Sequence, residues 1–268
     1  MPNPPRIPAV DLPLQGKIAL ITGASSGIGA ACAEAFARAG AKLLLAARRG
    51  DRLRDMVSSL RSAGAQDVHT IALDVRDKKQ VQSVIDGLPA AWQAIDILIN
   101  NAGLSRGLDK VYEGKIDDWE EMIDTNVKGL LYVTRAVVPG MVKRGGGHIV
   151  NLGSTAGHMT YPNGGVYCAT KAAENRLTEG LREDLLGTPV RVTTVDPGMV
   201  ETEFSKVRFH GDESRAAKVY QGLTPLQAND VADAILWAVT RPAHVNIAQV
   251  LLTSVDQANS LLFNRKTS

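Results

Sequence analysis

Tyr167 and Lys171 lie four residues apart in the stretch VYCATK, which follows the glycine-containing run YPNGG. On a helix, a spacing of four puts two side chains on one face and within reach of each other. A tyrosine hydroxyl normally ionises near pH ~10, and a neighbouring ammonium favours the phenolate. Such a tyrosine is suited to general acid and base catalysis. The same pair also occurs on solvent-exposed helices where it has no catalytic role. The other motifs of the chain therefore decide whether this pair is catalytic.

A glycine-rich loop, TGASSGIG, follows the first apolar run and opens a segment with helical spacing. Gly23 allows a tight turn, and Gly27 and Gly29 allow the backbone to approach a pyrophosphate closely and the helix to pack on the sheet. Amides at a helix N-terminus would then hold the anion. The spacing GxxxGxG differs from the dinucleotide fingerprint GxGxxG, and a glycine-rich turn by itself is often only a structural loop.

The end of the second apolar run indicates which dinucleotide is used. Cofactors without a 2′-phosphate are usually met there by Asp or Glu, which accept from the ribose hydroxyls. This chain has Ala47 at that point, followed by Arg48 and Arg49. A guanidinium binds phosphate, and a carboxylate would repel it. We therefore predict NADP(H), with Arg48 as the stronger candidate; the alternative is two solvated arginines at a helix start.

Two further strand ends carry polar side chains. Asp74 either caps the following helix or contacts the adenine amine. In the stretch NNAG, Asn100 and Asn101 could brace two strand ends through their amides. Ala102 and Gly103 are small and leave room for a flat ring system.

The elements that position these residues alternate along the chain. Continuous apolar runs indicate strands that are buried on both faces, and helical segments between them indicate parallel pairing. We predict an α/β fold, a single Rossmann-type, doubly wound, seven-stranded parallel sheet flanked by helices, with ligands beyond the carboxyl ends of the strands. The strands are KIALIT, AKLLLAA, VHTIAL, IDILIN, GHIVNLGS, VRVTTVDP and AQVLLTS, and the helices span residues 27–39, 51–62, 78–88, 117–143, 166–186 and 229–239.

The predicted boundaries follow from composition. Residues 1–15 carry many prolines, which predicts a poorly ordered arm, and residues 16–268 are predicted to form one Rossmann-fold domain. Residues 205–224 interrupt the alternation with charged and aromatic side chains, which places a substrate lid near residues 200–224.

Composition excludes several functional classes. Thirty Lys and Arg against 28 Asp and Glu give a net charge of +2 without long blocks of like charge, which argues against nucleic-acid binding. No uncharged apolar run reaches the roughly 18 residues of a membrane helix. Cys32 and Cys168 match no metal-ligand spacing and fit a reducing compartment. We expect a soluble, cytoplasmic protein with a small-molecule partner and no metal, nucleic acid or membrane.

Six motifs occur in one order: TGASSGIG, NNAG, DTNVKG, NLGSTAG, YCATK and DPGMVET. Together they resemble the short-chain dehydrogenase/reductase superfamily, and the resemblance extends over residues 17–253. It implies that Tyr167 is the catalytic acid and base and that Ser154 orients the substrate oxygen. It further implies that Lys171 holds the nicotinamide ribose and that Asn126 anchors a water-linked proton path.

The resemblance also implies a homotetramer built through the two long helices, residues 117–143 and 166–186. With the loops above, it predicts a cofactor site made of Gly23, Ser25, Ser26, Gly27, Ile28, Gly29, Arg48, Arg49, Asp74, Val75, Asn101, Ala102, Gly103, Tyr167, Lys171, Pro197, Gly198, Val200 and Thr202.

Longer stretches, among them PGMVETEFSKVRFHGDESRAAKVY and RPAHVNI, resemble the branch of NADP-dependent 3-hydroxy acid dehydrogenases that also act on serine and allo-threonine. The branch implies oxidation at C3 of a short hydroxy acid, such as 3-hydroxypropionate, or the reverse reduction of a 3-oxo acid or semialdehyde. The predicted substrate site is Ser154, Tyr167 and Arg208, with Arg106 as a second candidate for the carboxylate clamp.

Several assignments stay open. Met159, Tyr161, Met199 and Phe204 are candidate pocket walls that are equally typical of plain packing. His148 has no partner by spacing and is expected to be structural, and no base is placed to activate Cys168. The alternatives to the 3-hydroxy acid reading are a reductase of another small ketone, sulfo-aldehyde or 3-oxoacyl substrate, or a non-catalytic NADP(H)-binding sensor.

Overall fold

The computed structural model describes residues 12–266. Most of the predicted proline-rich arm, residues 1–11, lies outside the described residues. Within residues 12–15 the side chain of Leu14 is buried in the core, and its N–H donates to the carbonyl of Ala39 at 3.0 Å. The packed structure therefore includes residues that the sequence analysis assigned to the arm.

The fold prediction is confirmed. Seven parallel strands form one sheet in the order β3-β2-β1-β4-β5-β6-β9, and β7 and β8 form a separate parallel pair. The strands are β1 (Ile18–Thr22), β2 (Lys42–Ala47), β3 (Asp67–Ala72), β4 (Ile97–Asn100), β5 (Gly147–Leu152), β6 (Val190–Pro197), β7 (Val200–Glu201), β8 (Leu226–Gln227) and β9 (Gln249–Leu252).

The helices match the predicted segments with one exception. Residues 117–143 were predicted as one helix, but they contain two α-helices joined by a π-helical turn, Ile123–Gly129. The α-helices are α1 (Gly27–Arg38), α2 (Gly50–Ser62), α3 (Lys78–Asp86), α4 (Ile116–Met122), α5 (Leu130–Arg144), α6 (Gly165–Asp184), α7 (Phe204–Arg208), α8 (Glu213–Val219) and α9 (Ala228–Val239).

The sheet is buried on both faces, which explains the continuous apolar runs. In β1 and β2, Ile21 and Leu43 point into the core layer that contains α1 and α9. Leu20 and Leu44 point into the opposite layer, which contains α3 and α5. All four side chains are fully buried, so neither face of these strands could carry a charge without a large loss of stability.

The strand order reverses at β1, which pairs with β2 on one side and with β4 on the other. Connections from these strands leave in opposite directions, so a crevice opens beyond their carboxyl ends. Thr22 ends β1 and Asn100 ends β4. The glycine loop and the NNAG stretch therefore meet at this crevice.

The predicted lid, residues 200–224, contains β7, α7 and α8. It is held to the body of the protein by the N–H of Gly107, which donates to the carbonyl of Arg208 at 2.9 Å. Within the lid, the hydroxyl of Tyr220 donates to the carbonyl of Val200 at 2.8 Å. In the part of the chain that the structure describes, no helix combines the length and apolar character needed to cross a membrane.

His148 joins two central strands. It lies in β5 with 2% of its surface exposed, and its Nε2 is 2.7 Å from Oγ1 of Thr193 in β6. Burial lowers the pKa of His148 to about 3, and the charge of Arg191 adds to the effect. Because this pKa lies below that of the unfolded chain, its contribution to stability is complete above about pH 6.5 and is lost as the pH falls.

We predict that His148 alone lowers the free energy of unfolding by about 2 kcal/mol between pH 7 and pH 5. His148→Gln removes the titrating group, so the variant should lose less stability than the wild type over that interval. Urea unfolding at both pH values measures the difference. His244→Gln, at an exposed position, is the control and should keep the wild-type dependence. Equal losses in wild type and His148→Gln would contradict the prediction.

Candidate active site

A cleft of about 320 Å³ lies at the carboxyl edge of the sheet. It brings together residues from all the predicted loops, although they are far apart in sequence. Of the predicted site residues, the following line it: Gly23, Ser25, Ser26, Gly27, Ile28, Arg48, Arg49, Asp74, Val75, Asn101, Ala102, Gly103, Ser154, Tyr167, Lys171, Pro197, Gly198, Val200 and Thr202.

The glycine loop presents the start of α1 to the cleft. Gly27 has φ +54°, a conformation that favours glycine, and a Cβ there would lie 3.4 Å from Cβ of Thr202. Within the described chain, the side chain of Ser26 makes no capping hydrogen bond to α1. The first N–H groups of this helix are therefore free to hold an anion such as a pyrophosphate.

Gly29 lies behind the loop and is not among the residues that line the cleft. A Cβ at Gly29 would lie 2.5 Å from the carbonyl oxygen of Gly23 and 2.5 Å from Nδ2 of Asn101. Glycine is required there so that the helix can approach the turn that precedes it. Its role is therefore to shape the loop.

The asparagines of NNAG brace strand ends, as the sequence predicts. Nδ2 of Asn101 donates to the carbonyl of Thr22 at 2.9 Å and lies 3.3 Å from that of Gly23. Nδ2 of Asn100 donates to Oδ1 of Asn151 at 2.9 Å, which connects β4 to β5. These bonds fix the edges of the cleft at the point where the strand order reverses.

Two arginines lie at the mouth of the cleft. Arg49 lies over the glycine loop, with Nε 3.2 Å from Oγ of Ser25 and Nη2 2.6 Å from Oγ of Ser26. Arg48 is 52% exposed, and its Nη1 lies 3.6 Å from Oε1 of Glu121. Guanidinium groups beside serine hydroxyls form a donor set suited to phosphate. The residues at this end of the cleft therefore fit a dinucleotide that carries a 2′-phosphate, and Arg49 is engaged more closely than the sequence analysis expected.

Asp74 lies at the same end of the cleft. Its carboxylate binds the guanidinium of Arg76, with Nη2 at 2.6 Å from Oδ2. This hydrogen bond outweighs burial and lowers the pKa of Asp74, which stays ionised. The alternative that Asp74 caps the next helix is wrong, because Asp77 caps α3 by accepting from the N–H groups of Lys79 and Gln80.

Tyr167 and Lys171 share one face of α6, as their spacing predicts. Both side chains are buried, and Nζ of Lys171 lies 5.9 Å from the centroid of the Tyr167 ring. The ring packs edge-on against Phe204 with a centroid distance of 5.7 Å. The lid thus covers the tyrosine from one side.

Lys171 keeps its charge inside the protein through two partners. Nζ donates to the carbonyl of Leu152 at 2.8 Å and to Oε2 of Glu174 at 3.0 Å. Burial opposes the ammonium, but the Glu174 carboxylate outweighs it and raises the pKa of Lys171. Burial raises the pKa of Glu174 to about 7, although Lys171 acts in the opposite direction. The raised pKa of Lys171 keeps its side chain protonated at neutral pH.

Ser154 follows β5 and starts a 3₁₀ turn, Thr155–Gly157. Its Oγ accepts from the N–H of Ala156 at 3.1 Å and lies 3.4 Å from the carbonyl oxygen of Pro197, to which it donates. These two contacts hold the hydroxyl at the wall of the cleft, on the strand end next to Lys171.

Asn126 lies in the π-helical turn and is almost completely buried. Its side chain pairs with the backbone of Leu104 in both directions, at 2.9 Å to the N–H and 2.8 Å to the carbonyl. Nδ2 also donates to Oγ1 of Thr170 at 3.0 Å, and that hydroxyl donates to the carbonyl of Tyr167 at 2.8 Å. Asn126 therefore connects the NNAG loop to the helix that carries the tyrosine.

Arg208 and Arg106, the two candidates for binding the substrate carboxylate, have different surroundings. Nε of Arg208 donates to Oγ of Ser105 at 3.0 Å, and Nη2 donates to the hydroxyl of Tyr161 at 2.8 Å. Its guanidinium carbon lies 5.2 Å from the ring centroids of both Tyr167 and Phe204. Arg208 is not among the residues that line the cleft, but it lies next to Tyr167 and Phe204, which do. Among the described residues its Nη1 has no hydrogen-bond partner.

The N–H donors of the Arg106 guanidinium are bound to other groups of the protein. Its Nε lies 2.7 Å from Oε2 of Glu121, and its Nη1 donates to the carbonyl of Val207 in the lid. Arg106 thus fastens the lid to α4, and Arg208 is the better placed of the two for a substrate anion.

Three acidic residues near the cleft were missed by sequence reasoning. Glu174 could have been found, because it follows Lys171 at i+3 on the same helix face. Glu121 and Glu203 gave no local signal, since they bind arginines from distant parts of the chain. Their contribution becomes visible only when α2, α4 and the lid are packed together.

Of the remaining candidates for pocket walls, Phe204 lines the cleft, whereas Met159, Tyr161 and Met199 do not. Cys168 is buried, and burial raises the pKa of its thiol, so it is unreactive. No cluster of three or more His, Cys, Asp or Glu side chains suited to a metal ion occurs among residues 12–266.

Comparison with known proteins agrees with this geometry. The chain is 47% identical over 242 residues to the NADP-dependent 3-hydroxy acid dehydrogenase YdfG of Salmonella typhi, covering 90% of this chain and 96% of that one. It is 49% identical over 242 residues to sulfoacetaldehyde reductase 2 of Chromohalobacter salexigens, covering 90% and 95%. The closed form of a serine dehydrogenase complexed with NADP+ superposes with a TM-score of 0.87 at 45% identity, covering 93% of this chain and 100% of that one.

The family described as short chain dehydrogenase matches residues 17–213. That range includes the glycine loop and all four predicted catalytic residues. The chain belongs to the short-chain dehydrogenase/reductase family.

Proposed function

We propose that the chain is an NADP(H)-dependent oxidoreductase that transfers a hydride between the nicotinamide and C3 of a short 3-hydroxy acid. Examples of such substrates are serine, L-allo-threonine and 3-hydroxypropionate. The reverse reaction reduces the corresponding 3-oxo acid or semialdehyde. The observation that carries this proposal is the placement of Arg208 5.2 Å from the ring of Tyr167. A cation for the substrate carboxylate thus lies beside the group that exchanges the proton.

The cofactor is NADP(H). A 3-hydroxy acid dehydrogenase at 47% identity is named NADP-dependent, and the superposed serine dehydrogenase is complexed with NADP+. In this chain, the start of α1 would hold the pyrophosphate, and Arg48 and Arg49 would hold the 2′-phosphate. When bound, the nicotinamide supplies the hydride acceptor or donor.

The chain's own residues handle the proton and the charge. In the oxidation, Tyr167 removes the proton from the substrate hydroxyl; in the reduction, it returns the proton to the developing alkoxide. Ser154 donates to the same oxygen and stabilises its negative charge. Lys171, charged and buried at the floor of the cleft, favours the anionic form of the reacting oxygens.

A second substrate class is favoured by one specific observation. Arg208 presents a guanidinium, which binds a sulfonate as well as a carboxylate, and a relative at 49% identity is named sulfoacetaldehyde reductase 2. A short sulfo-aldehyde is therefore the second candidate, and both substrates would be small anions. A non-catalytic NADP(H)-binding sensor is less well supported, because Tyr167, Ser154 and Lys171 all line the cleft.

Initial rates test the proposed function. We predict turnover of at least one of L-serine, L-allo-threonine, 3-hydroxypropionate and 3-hydroxybutyrate, followed by the absorbance of the reduced cofactor. The value of kcat/KM should be at least about tenfold higher with NADP+ than with NAD+, because the 2′-phosphate adds charge-assisted hydrogen bonds. Reduction of sulfoacetaldehyde with NADPH distinguishes the second substrate class.

Tyr167→Phe is the control for the chemistry. It should lower kcat by at least about 100-fold, because the proton donor is lost, and should leave NADPH binding nearly unchanged. Turnover of the variant at the wild-type rate would contradict the mechanism. Tight NADPH binding without turnover of any of these substrates by the wild type would favour the sensor.

Arg208→Gln tests the anion clamp. We predict that kcat/KM for the acid substrate falls by at least about tenfold, because a hydrogen-bonded charge is worth about 1.5–3 kcal/mol. An uncharged short alcohol such as 2-butanol should be affected much less. Arg215→Gln, in α8 over the ring of Phe209, is the matched control. Equal losses for the acid and the alcohol would show that Arg208 acts on the fold and not on the anion.

We further propose a cytoplasmic homotetramer. The resemblance implies assembly through the long helices, and exposed apolar side chains on the α4–α5 unit, including Ile123 and Leu131, support a covered surface there. Light scattering after size exclusion should give four times the chain mass of 28.6 kDa; one or two times that mass would contradict the assembly. Cell fractionation tests the compartment.

A further inference from the structure

An ion-pair cluster connects the lid to the mouth of the cleft. Oε2 of Glu203 lies 3.0 Å from Nη1 of Arg49, and Oε1 lies 2.9 Å from Nη1 of Arg52. Glu203 comes directly before the lid helix α7, and both arginines lie at the start of α2. The carboxylate therefore bridges two elements on opposite sides of the cleft mouth.

The Arg49 guanidinium is the group most directly placed for a phosphate. Its Nε and Nη2 contact the hydroxyls of Ser25 and Ser26, and its Nη1 is taken by Glu203. Carboxylate and phosphate bind a guanidinium through the same fork of N–H donors. Glu203 thus lies where it takes a donor that a 2′-phosphate would use.

We propose that Glu203 is a specificity-determining residue that competes with the 2′-phosphate of NADP(H) for Arg49. The inference rests on the proposed use of NADP(H) and extends it to a residue of the lid. A 2′-phosphate that binds Arg49 has to displace Glu203 or share the guanidinium with it, and two anions at one cation repel each other. NAD(H) has no such phosphate and meets no such competition.

The charge state and the exposure of Glu203 are consistent with this role. The hydrogen bond from Arg52 outweighs burial and, with Arg49, lowers the pKa of Glu203, so the carboxylate is ionised at neutral pH. Its side chain is 42% exposed, and exposed ion pairs are worth at most about 1 kcal/mol. The competition is therefore strong enough to adjust affinity and weak enough to be overcome by a phosphate.

Glu203→Gln tests the competition through equilibrium binding to the full-length protein. The probes are 2′,5′-ADP and 5′-AMP, which differ in the 2′-phosphate, with titration calorimetry at low ionic strength as the measurement. The variant should bind 2′,5′-ADP about threefold tighter than the wild type and 5′-AMP with unchanged affinity. Glu213→Gln removes another ion-paired carboxylate of the lid, 2.7 Å from Lys206, and should change neither affinity.

The tighter binding of 2′,5′-ADP by Glu203→Gln should require Arg49. In an Arg49→Gln background, Glu203→Gln should produce no gain for 2′,5′-ADP, because the shared cation is absent. Unchanged 2′,5′-ADP binding in Glu203→Gln, or the same change for both nucleotides, would overturn the inference and leave Glu203 as an anchor of the lid. A wild type that binds 2′,5′-ADP no tighter than 5′-AMP would instead overturn the proposed use of NADP(H).

Discussion

The site depends on keeping the ammonium of Lys171 charged inside the protein. A buried cation without partners would lose its proton or destabilise the fold, so the surrounding structure has to supply acceptors at fixed positions. The carbonyl of Leu152 comes from the end of β5, and Glu174 comes from the next turn of α6. The same strand end carries Ser154, and the same helix carries Tyr167. Holding the charge therefore also fixes the catalytic side chains relative to one another.

The cleft has two ends, and each has its own arrangement of charge. At the outer end, the arginines after β2 are balanced by Glu121 and Glu203, so they are held in place without a ligand. At the inner end, the hydrogen bonds that the Arg208 guanidinium makes within residues 12–266 go to neutral hydroxyls, those of Ser105 and Tyr161. Its positive charge is thus not neutralised by these hydrogen-bond partners, which supports its proposed role as the clamp for a small anionic substrate.

Much of this arrangement could be predicted from the sequence, because its signals are local. Apolar runs located all seven strands of the sheet, and the i+4 spacing placed Tyr167 and Lys171 on one face. The π-helical turn around Asn126 could not be predicted in this way. The side chain of Asn126 bonds to the backbone of Leu104, 22 residues away, and such long-range pairing is invisible to periodicity. The close approach of Gly29 to the side chain of Asn101 is likewise a long-range contact that periodicity does not reveal.

The contacts of the lid show most clearly which interactions cannot be predicted from local sequence patterns. Glu203 and Arg49 are separated by 154 positions in sequence, so no motif contains both. Glu203 directly precedes α7 and Arg208 ends it, and α7 has only five residues. The ion pair of Glu203 with Arg49 and the hydrogen bonds of Arg208 to Ser105 and Tyr161 therefore anchor the two ends of one short helix. Under the proposed function, these contacts would place the residue that competes for Arg49 and the proposed substrate clamp at opposite ends of α7.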